Sequence, residues 1–473
     1  MTLALHWFRT DLRIHDNQSL ASAHAEGDVV AIYIATPKQW QAHYDAAIKL
    51  DYWRRNLQIL EAELLQTNIP LYYFEVASYK EVPALLEKLL VQWQVNSLHC
   101  NREYPLNEHN REAAVAAVCS KLGVQMQLHD DQVLMPPERV FNKSGQPYKV
   151  FTPFARHMRE LLRPLEGREA LTIKRQEVVA LQPLNEQRQL GELSWPAIDP
   201  VWEKLWPAGE NYARQRLTDF CEEAIIVYDE ARNIPSIDGT SRLSHALAAG
   251  VLSIRECWRA AHLFGEGKGS EIWRNELLWR DFYKHIIWHY PHVSRQKPWR
   301  DDVSHVPWQH NKEEFSRWCN GQTGIPIVDA AMQQLLQIGW MHNRLRMVTA
   351  MFLTKHLLID WRWGERWFMQ HLIDGEFAAN NGGWQWSAST GTDSVPYFRI
   401  FNPVTQSRRF DSEGTFIRKY LPELAHLDNK SIHDPGPERP SSYPAPIIDL
   451  GFGRERALSA FKKQVDFFYE APE

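Results

Sequence analysis

Cysteine is scarce in this chain and never paired in sequence. The five cysteines, Cys100, Cys119, Cys221, Cys257 and Cys319, form no C-x-x-C and no even-numbered framework. That pattern excludes a disulfide scaffold and the usual cysteine zinc sites, and it suits a reducing cytosol. No apolar run approaches the ~20 residues that span a bilayer. The opening MTLALHWFRTDLR turns charged within nine residues, so no secretory signal is expected there. Low-complexity tracts and fixed-period repeats are missing. So is a basic excess. The net charge is −5, against the basic footprint usual for a nucleic-acid binder.

What is present begins with size. The 473 residues, 44% hydrophobic and 23% charged, suffice for two or three domains with sizeable cores. Twenty residues are tryptophan, few before residue 190 and crowded after it. Such a load packs a core, lines an aromatic cofactor pocket or forms a stacking surface. Charge is uneven too. Residues 395–410, VPYFRIFNPVTQSRRF, carry Arg399, Arg408 and Arg409 and no acid.

Residues 1–130 alternate short apolar runs with helical patterns. Leu3–Phe8, Val29–Ala35, Leu71–Val76, Ser97–Asn101 and Val124–His129 read as strands, with helical spacing around 16–26, 46–66, 79–94 and 106–122. The alternation predicts an α/β domain, a doubly wound parallel sheet covered on both faces. No G-x-G-x-x-G follows the first strand, so the dinucleotide fingerprint is absent, although a ligand can still sit at the carboxyl ends of the strands. Nine prolines punctuate residues 131–209, which read as an interdomain connector wrapped on the surface, with one helix near 152–163. Over 210–473 the periodicity is helical, at 242–249, 270–290, 326–338, 340–358 and 363–373, and predicts an all-helical C-terminal domain.

Three clusters in that half carry chemistry. Gly239-Thr240-Ser241-Arg242-Leu243-Ser244 leads into a helix, and hydroxyls with an arginine there make either a phosphate site or an ordinary helix start capped by Thr240 or Ser241. Glu276, Trp279, Arg280 and Tyr283 share one helical face, and Trp340, Asn343, Arg344 and Met347 repeat the spacing. Such faces wall a planar polar ligand, or they are solvated with a Glu276–Arg280 ion pair. The third cluster runs from His371-Leu372-Ile373-Asp374-Gly375-Glu376 to Asn380-Asn381-Gly382-Gly383-Trp384-Gln385-Trp386. Its glycines permit close backbone approach to a ligand, and its acids can hold ribose hydroxyls.

Together these segments resemble the photolyase–cryptochrome family over almost the whole chain, nearest to its class I bacterial cyclobutane pyrimidine dimer group. Trp7-Phe8-Arg9-Thr10-Asp11-Leu12-Arg13 followed by His15-Asp16-Asn17 is similar to the family's opening strand and turn. The Gly239–Ser244 run, Trp340-Met341-His342-Asn343-Arg344, Ile373-Asp374-Gly375 and Asn380–Trp386 follow in the family's order.

The resemblance implies FAD in a folded U shape. Tyr228, Thr240, Ser241, Arg242, Leu243 and Ser244 would hold its phosphates and nearby groups, Asp374 and Glu376 its polar edges, with Arg346 as partner of Asp374. Asn380 would face flavin N5. Glu376 departs from the aspartate common there. In the family, excited reduced flavin passes an electron to a pyrimidine dimer, the cyclobutane ring splits, and the electron returns. The dimer must leave the duplex to reach a buried flavin. Glu276, Trp279, Asn343, Met347 and Trp386 match the dimer pocket, with Glu276 as hydrogen-bond donor to the dimer, and Arg280, Arg344 and Gln406 match contacts to DNA backbone. Trp384, Trp361 and Trp308 match a tryptophan chain that relays electrons to oxidised flavin. His43, Asn107, Glu108 and Arg295 fall where bacterial relatives bind a methenyltetrahydrofolate antenna; lysine is usual at the place of Arg295, and a deazaflavin is the rival antenna.

The implied protein is a cytoplasmic monomer, nucleoid-associated when bound, that repairs damaged double- or single-stranded DNA and meets no membrane. A blue-light signalling cryptochrome is the alternative. A long C-terminal tail would suit it, but the chain runs about ninety residues past Trp384 into ordinary sequence, and Asn380 and Met347 favour repair. Enzymes for (6-4) photoproducts carry a histidine pair at the lesion, whereas here Asn343 follows His342.

Overall fold

The computed structural model describes residues 2–163, 169–264 and 267–470, with side chains described to 464. The chain divides into two compact units. The first holds Met1–Ile226, Ser241–Pro291 and Ile373–Gly375; the second holds Val227–Thr240, His292–Leu372 and Glu376–Glu473.

The first unit is built on five parallel strands: β1 (Leu3–Phe8), β2 (Asp28–Ala35), β3 (Leu71–Glu75), β4 (Ser97–Asn101) and β5 (Gln125–His129), in spatial order β3-β2-β1-β4-β5. β1, β2 and β4 are buried along almost their whole length, which is why they read as apolar runs rather than alternations. Helices Gln18–Glu26, Ala47–Gln66, Val82–Gln92 and Leu106–Leu122 fill the crossovers. Their ends follow local chemistry. The Asn17 side chain caps the first by accepting from Leu20 N at 3.1 Å, and Gly123, at φ 71°, ends the last in the left-handed region that favours glycine. The connector does wrap this unit: Gln176 exchanges two 2.8 Å bonds with the backbone of Val29, and Arg188 N reaches Tyr73 O at 2.9 Å. Its helix is Phe151–Leu162.

The strand order reverses between β1 and β4, where open α/β sheets commonly take ligands. Here that crevice is closed from within. Arg9 pairs with Glu112 at 2.7 Å and with the Asn101 carbonyl, Arg111 pairs with Glu103, and Thr10 donates to Glu103 at 2.6 Å. The neighbouring cavity, lined by Trp7, Arg9, Tyr33, Trp40, Tyr79 and Arg111 among others, measures about 30 Å³, room for little more than a water.

Among the described residues no strand lies beyond His129. The second unit packs helices such as Pro326–Ile338, Asn343–Met351, Trp361–His371 and Phe377–Ala388 around Trp318, Met332, Phe352, Trp361, Phe368 and Trp384. The compact units cut the chain differently from the expected 1–130, 131–209 and 210–473. Helices Glu210–Asp219, Ile254–Leu263 and Lys268–His289 group with the sheet-bearing unit. The physical reason is visible in Asp281, fully buried, whose carboxylate accepts from Leu134 N at 2.6 Å in the connector.

Candidate functional site

In the first unit the turn before helix Ser244–Ala249 has an unusual backbone. Arg242 sits at φ 50°, a left-handed conformation uncommon for a non-glycine residue and concentrated at functional sites. Neither Thr240 nor Ser241 caps the helix: the cap position falls to Leu243, which has no side-chain oxygen to give. The capped-helix reading therefore fails, and the serine hydroxyls are not engaged in starting the helix. Ser241 is half-buried, Ser244 exposed, and the Ser241 carbonyl accepts from Arg216 Nε at 3.1 Å. Just inside the helix, His245 packs edge-on to Trp206 and Tyr52, and burial lowers its pKa to about 4, with Asp374 pulling the other way. Asp374 is itself buried. Next to it, the Gly375 carbonyl accepts from Lys49 Nζ at 2.7 Å.

Helix Lys268–His289 carries Glu276 and Trp279, both half-buried. Trp279 is stacked on Phe151 with ring centroids 3.8 Å apart and planes 7° apart, which fixes the indole. Arg280 does not have a free head. Its guanidinium donates to the carbonyls of Gln132 at 2.5 Å and Leu247 at 3.2 Å, and its side chain is 14% exposed.

A second cluster in the same unit joins three expected residues. His43 lies 2.9 Å from Asn107 Nδ2 and 3.6 Å from Glu108 Oε1, and Tyr79 OH donates to that Oε1 at 3.2 Å. Glu108 is buried, its pKa is raised mainly by that burial, and among the described residues its Oε2 has no hydrogen-bond partner. A buried carboxylate oxygen left unpaired is costly, and it invites a ligand donor.

In the second unit, Gly339 at φ 66° ends helix Pro326–Ile338, and His342 Nδ1 caps helix Asn343–Met351 by accepting from Arg344 N at 3.2 Å. Trp340 therefore lies outside that helix, not on a shared face with Asn343, Arg344 and Met347; a cap intervenes between it and them. Burial, with Arg344, Arg346 and Arg232 nearby, lowers the His342 pKa to about 3, so it caps as a neutral acceptor. Asn343 is exposed and Met347 half-buried. Arg344 bonds Asn233 and lies 4.4 Å over the Phe410 ring, while Arg346 Nε donates to the Met341 carbonyl at 2.8 Å. Tyr228 is buried beneath Arg232. Gln406, on helix Pro403–Phe410, has a buried Oε1 without a hydrogen-bond partner.

Glu376 is the cap of helix Phe377–Ala388, accepting from Ala378 N at 3.3 Å and Ala379 N at 3.1 Å. Asn380 Nδ2 donates to the Glu365 carbonyl at 2.9 Å. Trp361 and Trp384 are buried in the core and the partly exposed Trp308 packs against it; Trp386 is half-buried. Sequence reasoning missed Glu365 and Trp318. The first is a buried carboxyl between two asparagines, and the second is an indole 6.0 Å from Trp384. No spacing in the sequence marks either, since the partners of each lie on another helix.

Two family models match, described as DNA photolyase over residues 4–171 and as the FAD binding domain of DNA photolyase over 273–463. A deoxyribodipyrimidine photo-lyase of Vibrio cholerae is 43% identical, covering 97% of this chain and 99% of its own. The chain belongs to the DNA photolyase family. Among solved structures, the class III photolyase of Agrobacterium tumefaciens superposes with a TM-score of 0.85 at 33% identity, covering 98% of each chain. The cryptochrome of Synechocystis follows at 0.83 and 26%, covering 97% of this chain and 99% of its own. The photolyase FAD domain model spans Asn343–Met347, Glu376–Trp386 and Gln406, whereas the Ser241–Ser244 turn precedes it. The donors fit FAD chemically: hydroxyls and a guanidinium at Ser241–Ser244 for phosphates, and the half-buried amide of Asn380 for a polar ring edge. Among the described residues no helix is long and apolar enough to cross a membrane.

Proposed function

We propose that this protein splits cyclobutane pyrimidine dimers in DNA under blue light, as an FAD-dependent carbon–carbon lyase. The observation that carries the reading is the 43% identity, over nearly the full length of both chains, with a deoxyribodipyrimidine photo-lyase. Bound FAD supplies the light-excited electron that the dimer accepts. The protein positions, orients and excludes water. Tyr228, Thr240, Ser241, Arg242, Leu243 and Ser244 hold the phosphates and nearby groups; Asp374, Arg346 and Asn380 meet the polar edges. Glu376, whose two carboxylate oxygens each accept one bond at its own helix start, meets them through their further acceptor capacity.

Trp279, fixed by its stack on Phe151, presents an indole face to the dimer. Trp386, Met347 and Asn343 are dimer contacts of the second unit. Glu276 donates a hydrogen bond to a dimer carbonyl when it carries its proton, and so favours the added negative charge. Arg344 and Gln406 contact DNA backbone, while Arg280, tied to two carbonyls, acts by holding its helix in place. Trp384, Trp361 and Trp308 relay electrons inward. The protein is read as a cytoplasmic monomer.

For the antenna, the His43–Asn107–Glu108 cluster with its unpaired Glu108 Oε2 suits a pterin that donates from an amino group, as methenyltetrahydrofolate does. A deazaflavin in the cavity beside the β1/β4 crevice is disfavoured by its volume of about 30 Å³.

The test is a pair of substitutions. Glu276→Ala should lower repair per absorbed photon with modest change in lesion affinity, and Glu276→Gln, which keeps a donor, should retain more. Equal loss in both would remove Glu276 from the chemistry.

A further inference from the structure

Residue 365 receives the amides of two consecutive asparagines. Its main-chain carbonyl accepts from Asn380 Nδ2 at 2.9 Å, and its side-chain Oε1 accepts from Asn381 Nδ2 at 2.7 Å. The second bond begins a polar chain that runs in one direction. Asn381 Oδ1 accepts from Gln385 Nε2 at 3.0 Å, and Gln385 Oε1 accepts from Trp299 N at 2.8 Å. Bonds aligned in this way strengthen one another and lock each amide in one orientation. Glu365 closes the chain as its acceptor. Glu365, Asn381 and Gln385 are all buried, so loss of that acceptor would leave two amides to rearrange with no water at hand.

The charge surroundings say which form of Glu365 does this. On its own helix, Arg362 is engaged by Asp360 at 3.0 Å and by the Gln296 carbonyl at 2.6 Å, and Arg366 is exposed. The facing helix Phe377–Ala388 has no ionisable side chain. Helix Asn343–Met351 and the segment Phe352–His356 also pack on these helices. Their charges point elsewhere: Arg346 to Met341 O, Arg344 to Asn233, His356 to Phe401 O, and Lys355 to Ala388 O and Ser389. Lys297 and Arg300 flank the far end of the chain, where Arg300 is paired with Asp302. Among the described residues no cation forms an ion pair with Glu365, and Arg362 and Arg366 act on it only at a distance. Burial accordingly raises its pKa to about 7, against the hydrogen bond from Asn381 and the pull of Arg362.

We propose that Glu365 is a positioning residue for the flavin. Through Asn381 and its own backbone carbonyl it fixes helix Phe377–Ala388 so that Asn380 turns its Oδ1 outward. With one amide N–H held by Glu365 O, Asn380 offers the ligand an acceptor. That suits a flavin carrying hydrogen on N5 and does not suit the oxidised form, whose N5 is itself an acceptor. The inference rests on the reading that Asn380 faces flavin N5. Glu365 touches neither flavin nor DNA; it acts through the asparagines.

The test uses the FAD-loaded protein and reads its flavin midpoint potential and absorption spectrum. Glu365→Gln keeps a neutral acceptor and should leave the potential at the wild-type value. Glu365→Ala should weaken the preference for reduced over oxidised flavin about tenfold, which is ~30 mV for a two-electron couple. An unchanged potential in Glu365→Ala, or an equal shift in both variants, overturns the proposal. If the alanine variant does not fold, infrared spectroscopy of the wild type decides. A protonated carboxylic acid band at neutral pH that vanishes in Glu365→Gln supports it, and absence of that band overturns it. Asn380→Ala separates the two readings. If it leaves spectrum and potential untouched, Asn380 does not face the flavin; if it shifts them while Glu365→Ala does not, only the role of Glu365 is lost.

Discussion

The Trp384 indole lies so close to Gly364 that a Cβ on residue 364 would come within 2.0 Å of a ring carbon. Helix Trp361–His371 thus carries a glycine where Trp384 crosses it, one turn after Trp361. The fit joins two members of the expected electron relay to a single backbone contact. Gly364→Ala should destabilise the protein by about 1–3 kcal/mol, the usual range for overpacking a core. It should also slow light-driven reduction of oxidised flavin, while chemically reduced enzyme still repairs. Denaturant unfolding and flavin bleaching under illumination check both. Unimpaired photoreduction would separate Trp384 from the relay.

Purified protein should show a near-ultraviolet band beyond that of its flavin if the antenna is folate. Replacing Asn107 and Glu108 by alanine should remove that band and leave FAD bound. Because Glu108 Oε2 is unpaired and buried, the alanine at 108 should also relieve a strain in the free protein and leave stability level or slightly higher. Loss of FAD in place of the band would contradict the assignment.

DNA binding should weaken steeply with salt despite the net charge of −5, because local arginines neutralise phosphates. Removing Arg344 should flatten the plot of log affinity against log salt by about one unit. Removing Arg280, whose guanidinium is held by Gln132 and Leu247, should leave that slope alone. Equal flattening in both would make Arg280 a phosphate contact as well, and flattening for Arg280 alone would reverse the two roles.

His342 gives a pH test with a defined sign. Its folded pKa of about 3 lies below the ordinary 6.5, so the unfolded chain binds more protons between those values. Its contribution to stability is whole above pH 6.5 and is lost as pH falls toward 3, by at most ~1.4 kcal/mol per pH unit. Glu365 and Asp281, with pKa values raised to about 7, act oppositely, so total stability is a poor readout. The difference between wild type and His342→Asn isolates the one group, since asparagine can still cap the helix. Wild type should lose stability relative to the variant between pH 7.5 and 5 in denaturant titrations. A constant difference would mean that His342 takes up its proton at the same pH in the folded protein as in the unfolded chain.

The sheet was legible because its strands are short, apolar and separated by turn residues: Ser97–Asn101 is the observed β4, and 326–338 the observed helix. The helix expected over 340–358 was not a single element. A cap at His342 and a π-helical stretch at Phe352–His356 divide that span, and neither alters the apolar period that was read. Residue types at the candidate site were legible from the family's motifs; their partners were not. Arg280 meets a carbonyl at Gln132, far back in the chain, and Gly364 matters only because Trp384 folds onto it. Glu365 was invisible for the same reason, its significance residing in two asparagines on another helix.

The central claim is repair of dimers by light, and one measurement addresses it. Purified protein with reduced FAD is mixed with an oligonucleotide carrying a single cyclobutane thymine dimer, and intact thymines are counted after blue light and after an equal time in darkness. The account predicts restoration of both thymines in the light alone, with the strand otherwise unchanged. A protein that binds FAD and responds to light yet leaves the dimer intact would contradict it and would favour signalling over repair.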